Sequence, residues 1–357
     1  MSKYEFKKMA ELPVIEELPD VLDGAKTPEE WEARRGYIKE MLAHYLLGHR
    51  PENDVVATGE VLSTEEVYDG KGIRENVRIH IGNGESFDIY VVRPNREGKF
   101  PAIEWIHFKG FGECPIGEEL VDRGYVLAAF ENNNVCKDDK DDPVSPAKRA
   151  YPEADWAAIM IWGWGFSKIA DYLTTLPYVD ADKLICTGHS RNGKAALAAG
   201  AYDERFKVVA PINSGAGGAG CCRFLGDTTT IVQDPAIVES LGRITSVFPH
   251  WFSENVNEFG MQEAPHNVTN ENRLPFDLHF FKALVCPRAL ITIEGTEDLW
   301  ANCFGTHLTR MGAQPAFEIC GVPGRNQQII RNGHHMHGPR DWRWTLDFAE
   351  NVFKGYI

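Results

Sequence analysis

Gly188-His189-Ser190-Arg191-Asn192-Gly193-Lys194 follows a short apolar run, Lys183-Leu184-Ile185-Cys186-Thr187, and precedes an alanine-rich one, Ala195-Ala196-Leu197-Ala198-Ala199. That order reads as strand, tight turn and helix, with a serine at the apex and at the positive end of the helix. The general form of such an elbow carries glycine two residues to either side of the serine. Here Gly188 is in place, Asn192 takes the second position and Gly193 comes one later. A serine between small residues at a helix start also reads as a plain N-cap. The chemistry therefore turns on whether the rest of the chain supplies partners for it.

Working outward, the runs at 102–106, 126–130, 184–186, 208–210 and 290–293 are short and continuously apolar. Helical patterns lie between several of them, as at 156–173 and after Ser190. Strand–helix alternation implies a mostly parallel central sheet flanked by helices, a three-layer α/β sandwich. Upstream, residues 54–92 alternate apolar and polar positions, with turn signals at Asp69-Gly70 and Gly82-Asn83-Gly84, and read as antiparallel strands. Thr27-Pro28-Glu29-Glu30 starts a helix, with Thr27 as N-cap and Glu30 closing a capping box; it runs to Leu47 and stops at Gly48. No repeat or low-complexity linker divides the chain. One domain over 1–357 is expected, with 1–50 a helical extension packed on it. The stretch 215–274 reads as an insertion able to roof an active site. The charged run Lys137-Asp138-Asp139-Lys140-Asp141-Asp142-Pro143 reads as a solvated loop.

A chain of 357 residues with 43% hydrophobic and 25% charged residues is long enough to bury a large core. Its formal net charge of −15 argues against a nucleic-acid partner, which would require a basic face. No apolar run approaches the ~18 residues of a membrane span. The first residues, Met1-Ser2-Lys3-Tyr4-Glu5-Phe6-Lys7, contain no apolar core of a signal peptide, so the chain as it stands reads as cytoplasmic, or as secreted if a leader has been trimmed. The eight cysteines show no metal-ligand spacing, and no structural disulfide is expected.

A serine nucleophile needs a histidine to take its proton and a carboxylate to fix that histidine's tautomer and stabilise its cation. In α/β-hydrolases the three come in the order serine, acid, histidine. The apolar run 290–293 leads into Glu294-Gly295-Thr296-Glu297-Asp298-Leu299-Trp300, which places acids just past a late strand. Arg331-Asn332-Gly333-His334-His335-Met336-His337-Gly338-Pro339-Arg340-Asp341-Trp342 then forms a histidine loop ahead of the last helix. Each piece has a plainer reading: Glu297 and Asp298 as helix caps, the three histidines as metal ligands. No cysteine or acid accompanies the histidines at ligand spacing, however, and no metal or organic cofactor is expected. The joint order favours a triad on an α/β-hydrolase fold.

With these residues in hand the chain resembles the glucuronoyl esterases (4-O-methyl-glucuronoyl methylesterases), in particular their bacterial branch. The resemblance covers most of the chain. It includes Trp31-Glu32-Ala33-Arg34-Arg35, Tyr45-Leu46-Leu47-Gly48, Trp162-Gly163-Trp164-Gly165 and Ser214-Gly215-Ala216-Gly217-Gly218-Ala219. Phe248-Pro249-His250-Trp251-Phe252, Leu274-Pro275-Phe276-Asp277 with His279, and Pro287-Arg288 also fit. The family elbow, Gly-x-Ser-Arg-x-Gly-Lys, accounts for the displaced second glycine. The resemblance implies Ser190 as nucleophile, Arg191 as a donor to the oxyanion beside its own backbone N–H, Lys194 as a contact to uronate hydroxyls and Trp300 as the ring packed along the sugar. Many members carry a carboxylate in a Pro-x-Glu-Ser-Gly stretch, where this chain has Pro211-Ile212-Asn213-Ser214-Gly215. Some bacterial relatives place the acid in an acid-acid-x-Trp-Ala stretch, which Glu297-Asp298-Leu299-Trp300-Ala301 matches. Asp298 is then the acid, with Glu297 behind it. Ungapped alignment on Arg331, Gly333, Pro339 and Asp341-Trp342 makes His335 the base, with His334 second.

The expected function is a serine esterase that hydrolyses esters of (4-O-methyl-)glucuronic acid, as in lignin–carbohydrate esters, through a Ser190–His335–Asp298 triad and an acyl-enzyme. Its partner would be a glucuronate ester or a glucuronoxylan-derived oligosaccharide, with no nucleic acid and no membrane. The alternatives are a hydrolase of acetylxylan or another small carboxylic ester, and an inactive hydrolase fold that only binds a saccharide.

Overall fold

The apolar runs form the centre of a nine-stranded sheet in a computed structural model. The structure describes residues 4–110, 112–142, 144–224, 238–260 and 270–357. The strands are β1 (Thr58–Val67), β2 (Gly72–Gly82), β3 (Glu85–Pro94), β4 (Phe100–His107), β5 (Val126–Glu131), β6 (Val179–His189), β7 (Phe206–Ile212), β8 (Ala289–Gly295) and β9 (Asn326–Arg331). Their spatial order is β1-β2-β3-β5-β4-β6-β7-β8-β9. The first three form the expected antiparallel meander, and β3 pairs antiparallel with β5. From β5 through β9 every pairing is parallel. This is the α/β-hydrolase architecture, and its parallel strands are buried on both faces, as continuous apolar runs require. The edge strand β1 is polar and solvated, and its glutamates discourage pairing with another chain.

Alternation along the strands divides the core into two layers. Ala102, Ile106, Ala128, Cys186, Val209 and Leu290 pack toward the helices Ala158–Leu173, Arg191–Tyr202 and Cys303–Ile319. Ile103, Trp105, Ala129, Ile185, Ala210 and Ile293 pack toward Gly117–Arg123 and Pro339–Phe353. Gly163 lets two helices of the first layer touch, since a Cβ there would lie 2.8 Å from Cβ of Ala198.

The N-terminal helix forms at Pro28–Leu42, widens into a π turn over Ala43–Leu47 and stops at Gly48, whose φ is 73°. Thr27 Oγ accepts from the Glu30 N–H at 3.2 Å. The Glu30 carboxylate accepts from Lys26 N–H at 2.7 Å, one residue earlier than a capping box would have it. The segment ahead of the helix is tied down by long-range bonds: Ile15 N–H to Asn272 O (2.8 Å), Arg223 Nε to Ile15 O (2.9 Å) and Arg273 Nη1 to Leu12 O (2.6 Å). All eight thiols are free, and all but Cys320 are buried. Among the described residues no helix is long and apolar enough to cross a membrane.

His279 anchors the same segment from beneath. It is fully buried, Nε2 donates to Pro19 O at 2.8 Å, and Nδ1 has no partner. Burial lowers its pKa from 6.5 to about 4, against a smaller opposing pull from Asp277. The unfolded chain therefore takes up this proton near pH 6.5 and the folded chain only near 4. Between those values His279 costs about 1.4 kcal/mol of stability for each unit that pH falls. His279→Gln is expected to reduce the slope of unfolding free energy against pH by close to one proton between pH 4 and 6.5, read from urea titrations; an unchanged slope would contradict a neutral buried His279.

Candidate active site

The elbow forms as a strained turn. Ser190 follows β6 with φ 60° and ψ −128°, a conformation that non-glycine residues adopt only where their surroundings impose it. Its N–H donates to Ile212 O at 2.9 Å, and its carbonyl accepts from the N–H groups of Gly193 (2.8 Å) and Lys194 (3.1 Å). A Cβ on Gly188 would lie 2.3 Å from Asn192 O, and one on Gly193 would lie 3.0 Å from both Ile212 O and Ser214 Cβ. The second glycine is therefore needed where the helix start touches β7, one residue later than in the general pattern. The Arg191 N–H, in the first turn of the helix, has no intrahelical acceptor.

Asp298 lies in the turn after β8, 4% exposed. Its Oδ2 is 2.6 Å from His335 Nδ1 and accepts from Asn213 Nδ2 at 2.8 Å, while Oδ1 accepts from Ala301 N–H at 3.1 Å. The structure thus joins the acid and the base expected from the sequence. Glu297 and His334, their second choices, pair with each other at 3.0 Å on the surface, 54% and 80% exposed. The third histidine of the loop, His337, stacks on Trp342 at 4.7 Å. His335 reaches the elbow itself, its ring 4.3 Å from that of His189. No hydrogen bond joins Ser190 Oγ to His335 Nε2, a contact that commonly tightens only with substrate in place.

Arg331 and Asn213 build this arrangement, and sequence reading assigned neither a role in it. Arg331 Nε pairs with Asp341 at 2.7 Å, Nη1 donates to His334 O (3.2 Å), and Nη2 donates to Met336 O (2.7 Å) and Asn213 Oδ1 (3.3 Å). One guanidinium thus fixes the histidine loop and orients the amide that donates to Asp298. The signal was present: Arg331 and Asp341 flank the histidine loop at either end.

Arg191 sits in an aromatic cage, its guanidinium 4.6 Å from the ring of Trp251, 5.0 Å from Phe248 and 5.6 Å from Phe108. It pairs with Asp138, which also accepts from Trp251 Nε1 (2.6 Å) and His250 Nε2 (2.9 Å). Burial would raise the Asp138 pKa, but the bonds from His250 and Trp251 and the charge of Arg191 outweigh it and hold the carboxyl below its usual range. The reading of 137–143 as a solvated loop holds for Lys137, Asp139, Lys140 and Asp141, which are exposed, but not for Asp138 and Asp142, while Pro143 lies outside the described residues. Asp138 is turned into the site and Asp142 is buried against Ser145. Phe248, His250 and Trp251 belong to the stretch 215–274 expected to roof the site. Of that stretch, 225–237 and 261–269 lie outside the described residues.

Lys194 also differs from expectation. Its side chain is 2% exposed, and its ammonium donates to Ser214 O (2.6 Å), Ala216 O (2.6 Å) and Glu239 Oε2 (2.9 Å). All three protons are taken, so no donor is left for a sugar hydroxyl. Lys194 here holds the glycine-rich turn after β7 through a buried ion pair. Burial lowers the Lys194 pKa and raises that of Glu239, and their mutual attraction opposes both shifts. Trp300 is 42% exposed, and its carbonyl accepts from Glu239 N–H at 2.9 Å. The exposed indole is free to act as a stacking platform.

A family model described as glucuronyl esterase, fungi, matches residues 78–321. The chain belongs to that family. It is 26% identical to carbohydrate esterase MZ0003 from an unknown prokaryotic organism, over 95% of this chain and 90% of the relative. It is 29% identical to a 4-O-methyl-glucuronoyl methylesterase of Phanerochaete carnosa, over 89% and 74%. Among solved structures, a carbohydrate esterase family 15 glucuronoyl esterase from Caldicellulosiruptor kristjansonii superposes with a TM-score of 0.79 at 29% identity, over 97% of this chain and 93% of that one. One from Solibacter usitatus gives 0.80 at 26%, over 96% and 99%.

Within this glucuronyl esterase fold the Lys194–Glu239 pair carries a consequence for stability. Removing one partner of a buried pair leaves an uncompensated charge, typically at about 3–5 kcal/mol. Lys194→Met is expected to lower unfolding free energy by about that amount, and Lys194→Met with Glu239→Gln to recover part of it, since the carbonyls of Ser214 and Ala216 still lose their donor, in guanidinium titrations.

Proposed function

We propose that the chain is a serine esterase that hydrolyses carboxylic esters of glucuronic acid, of the 4-O-methyl-glucuronate type named in its relatives. The observation that supports this reading best is the 2.6 Å contact between buried Asp298 and His335, beside a strained elbow serine in a member of the glucuronyl esterase family. In the proposed reaction His335 Nε2 takes the Ser190 proton as Oγ attacks the ester carbonyl. The negative charge of the tetrahedral intermediate faces the Arg191 N–H and guanidinium, positioned donors of the kind that stabilise a transition state. Asp298 holds the tautomer of His335 and stabilises its cation. Collapse expels the alcohol, which takes the proton from His335. A water molecule, deprotonated by His335, then attacks the acyl-enzyme, and Ser190 recovers its proton as glucuronic acid leaves. Trp300 offers a face for the sugar.

The amide at Asn213 favoured the alternative of a dead, saccharide-binding fold, but Asp298 supplies the charge that Asn213 lacks. The competing enzyme reading is an acetyl or small carboxylic esterase. Turnover of benzyl glucuronate without turnover of acetylated xylan is the expected result, and the reverse would sink the uronate reading. Asp298→Asn keeps the size of the side chain but removes its charge and one of its two acceptor oxygens, and should lower kcat by about 10⁴, whereas Glu297→Gln should leave it within about twofold. A Glu297→Gln variant as impaired as Asp298→Asn would overturn the choice of acid.

A further inference from the structure

The hydrogen bond to Asp298 fixes His335 at one ring nitrogen. It leaves the ring free to turn about that contact, and His335 is about a third exposed, with solvent on its outer side. A base aimed by one bond alone would sweep Nε2 across the cleft. Against one face of His335 lies the ring of His189, with centroids 4.3 Å apart and planes tilted by 49°. His189 is in turn backed by Phe108, edge-on at 6.4 Å, and by His337 at 6.5 Å. His337 stacks flat on Trp342 at 4.7 Å, and Trp342 meets Trp105 of β4 edge-on at 5.5 Å. A series of rings therefore runs from the fully buried core of one layer to the open face of the base.

We propose that His189 is a positioning residue for the base: packed against His335, its ring sets the plane in which Nε2 is presented to Ser190. The inference rests on the reading of Ser190 and His335 as nucleophile and base. Because His189 immediately precedes Ser190, the ring that guides the base and the hydroxyl that meets it are carried by the same turn. A shift of the elbow moves both together.

The role is that of a neutral ring. His189 Nε2 is buried without a hydrogen-bond partner. Burial pushes the pKa of His189 well below the usual histidine range, reinforced by His335, His337 and Arg331, the groups that face it. A second positive charge 4.3 Å from His335 would oppose formation of the imidazolium, so neutrality of His189 favours the proton transfer. A ring without nitrogens should serve almost as well, because no hydrogen bond of Nε2 is lost.

The test compares His189→Phe, His189→Gln and His189→Ala in the full chain, with benzyl glucuronate hydrolysis and fluorophosphonate labelling of Ser190 as readouts. His189→Gln and His189→Ala should lose about tenfold in kcat, with KM within about twofold, and label correspondingly slowly. His189→Phe should retain at least about a third of kcat, with the acid limb of the pH profile unmoved. Should His189→Ala not fold, the contrast between Gln and Phe decides alone. Full kcat in the Gln variant, or a Phe variant as slow as Gln, overturns the proposal; the latter would assign the effect to a ring nitrogen. Failure of the wild type to label at Ser190 would overturn the nucleophile reading instead, a separate outcome.

Discussion

The active site depends on one backbone constraint, the left-handed φ of Ser190. Holding a serine there costs on the order of 1–3 kcal/mol, which the surroundings must offset. They do so through the bond from Ser190 N–H to β7, the two bonds accepted by its carbonyl, and the close fit of Gly188 against Asn192. From that turn three groups take their directions at once. The hydroxyl of Ser190 stands clear of the sheet, the N–H of Arg191 is left without an intrahelical acceptor, and the ring of His189 is carried beneath His335. Gly188 cannot become alanine without moving the backbone of Asn192, while an alanine at 193 would press on Ile212 O and Ser214 Cβ.

The acid is the other half of the design. A buried carboxylate is stable only when its oxygens are occupied, and Asp298 has an imidazole, an amide and a backbone N–H. The amide matters as much for what it is not. A carboxylate at 213 would stand 2.8 Å from Asp298, and two like charges so close cannot both stay ionised. With asparagine there no second carboxylate crowds Asp298, and Arg331 donates to the amide from behind while holding the loop that delivers the histidine.

The parts legible in the sequence were those written in local pattern. Strand-turn-helix around Ser190, the antiparallel meander at 54–92 and the helix stop at Gly48 all depend on short-range period or spacing. The parts that were not legible depend on contacts across long stretches of chain. Asp138 meets Arg191, His250 and Trp251 from 53, 112 and 113 residues away, and nothing within its charged run distinguishes it from solvated neighbours. Lys194 is a subtler case. It opens an alanine-rich helix buried almost all round between sheet and neighbouring helix, and that composition argues against a lysine pointing to open solvent. Its partner Glu239, 45 residues on, was out of reach of any local pattern.

The pairing of Arg191 with Asp138 bears on how the proposed chemistry can turn over. An ester substrate presents a neutral carbonyl, the intermediate carries a negative charge, and the acid product carries one permanently. An unpaired guanidinium, caged by three aromatic rings, would hold that product as firmly as it stabilised the intermediate. In the proposed reaction Asp138 offsets the positive charge of Arg191, so discrimination would rest on geometry, tetrahedral oxygen against planar carboxylate, more than on net charge. In a protein of net charge −15 the released anion is repelled as well. Charge compensation within the cage thus serves the transition state without trapping the product, which a lone arginine in the same cage would not do.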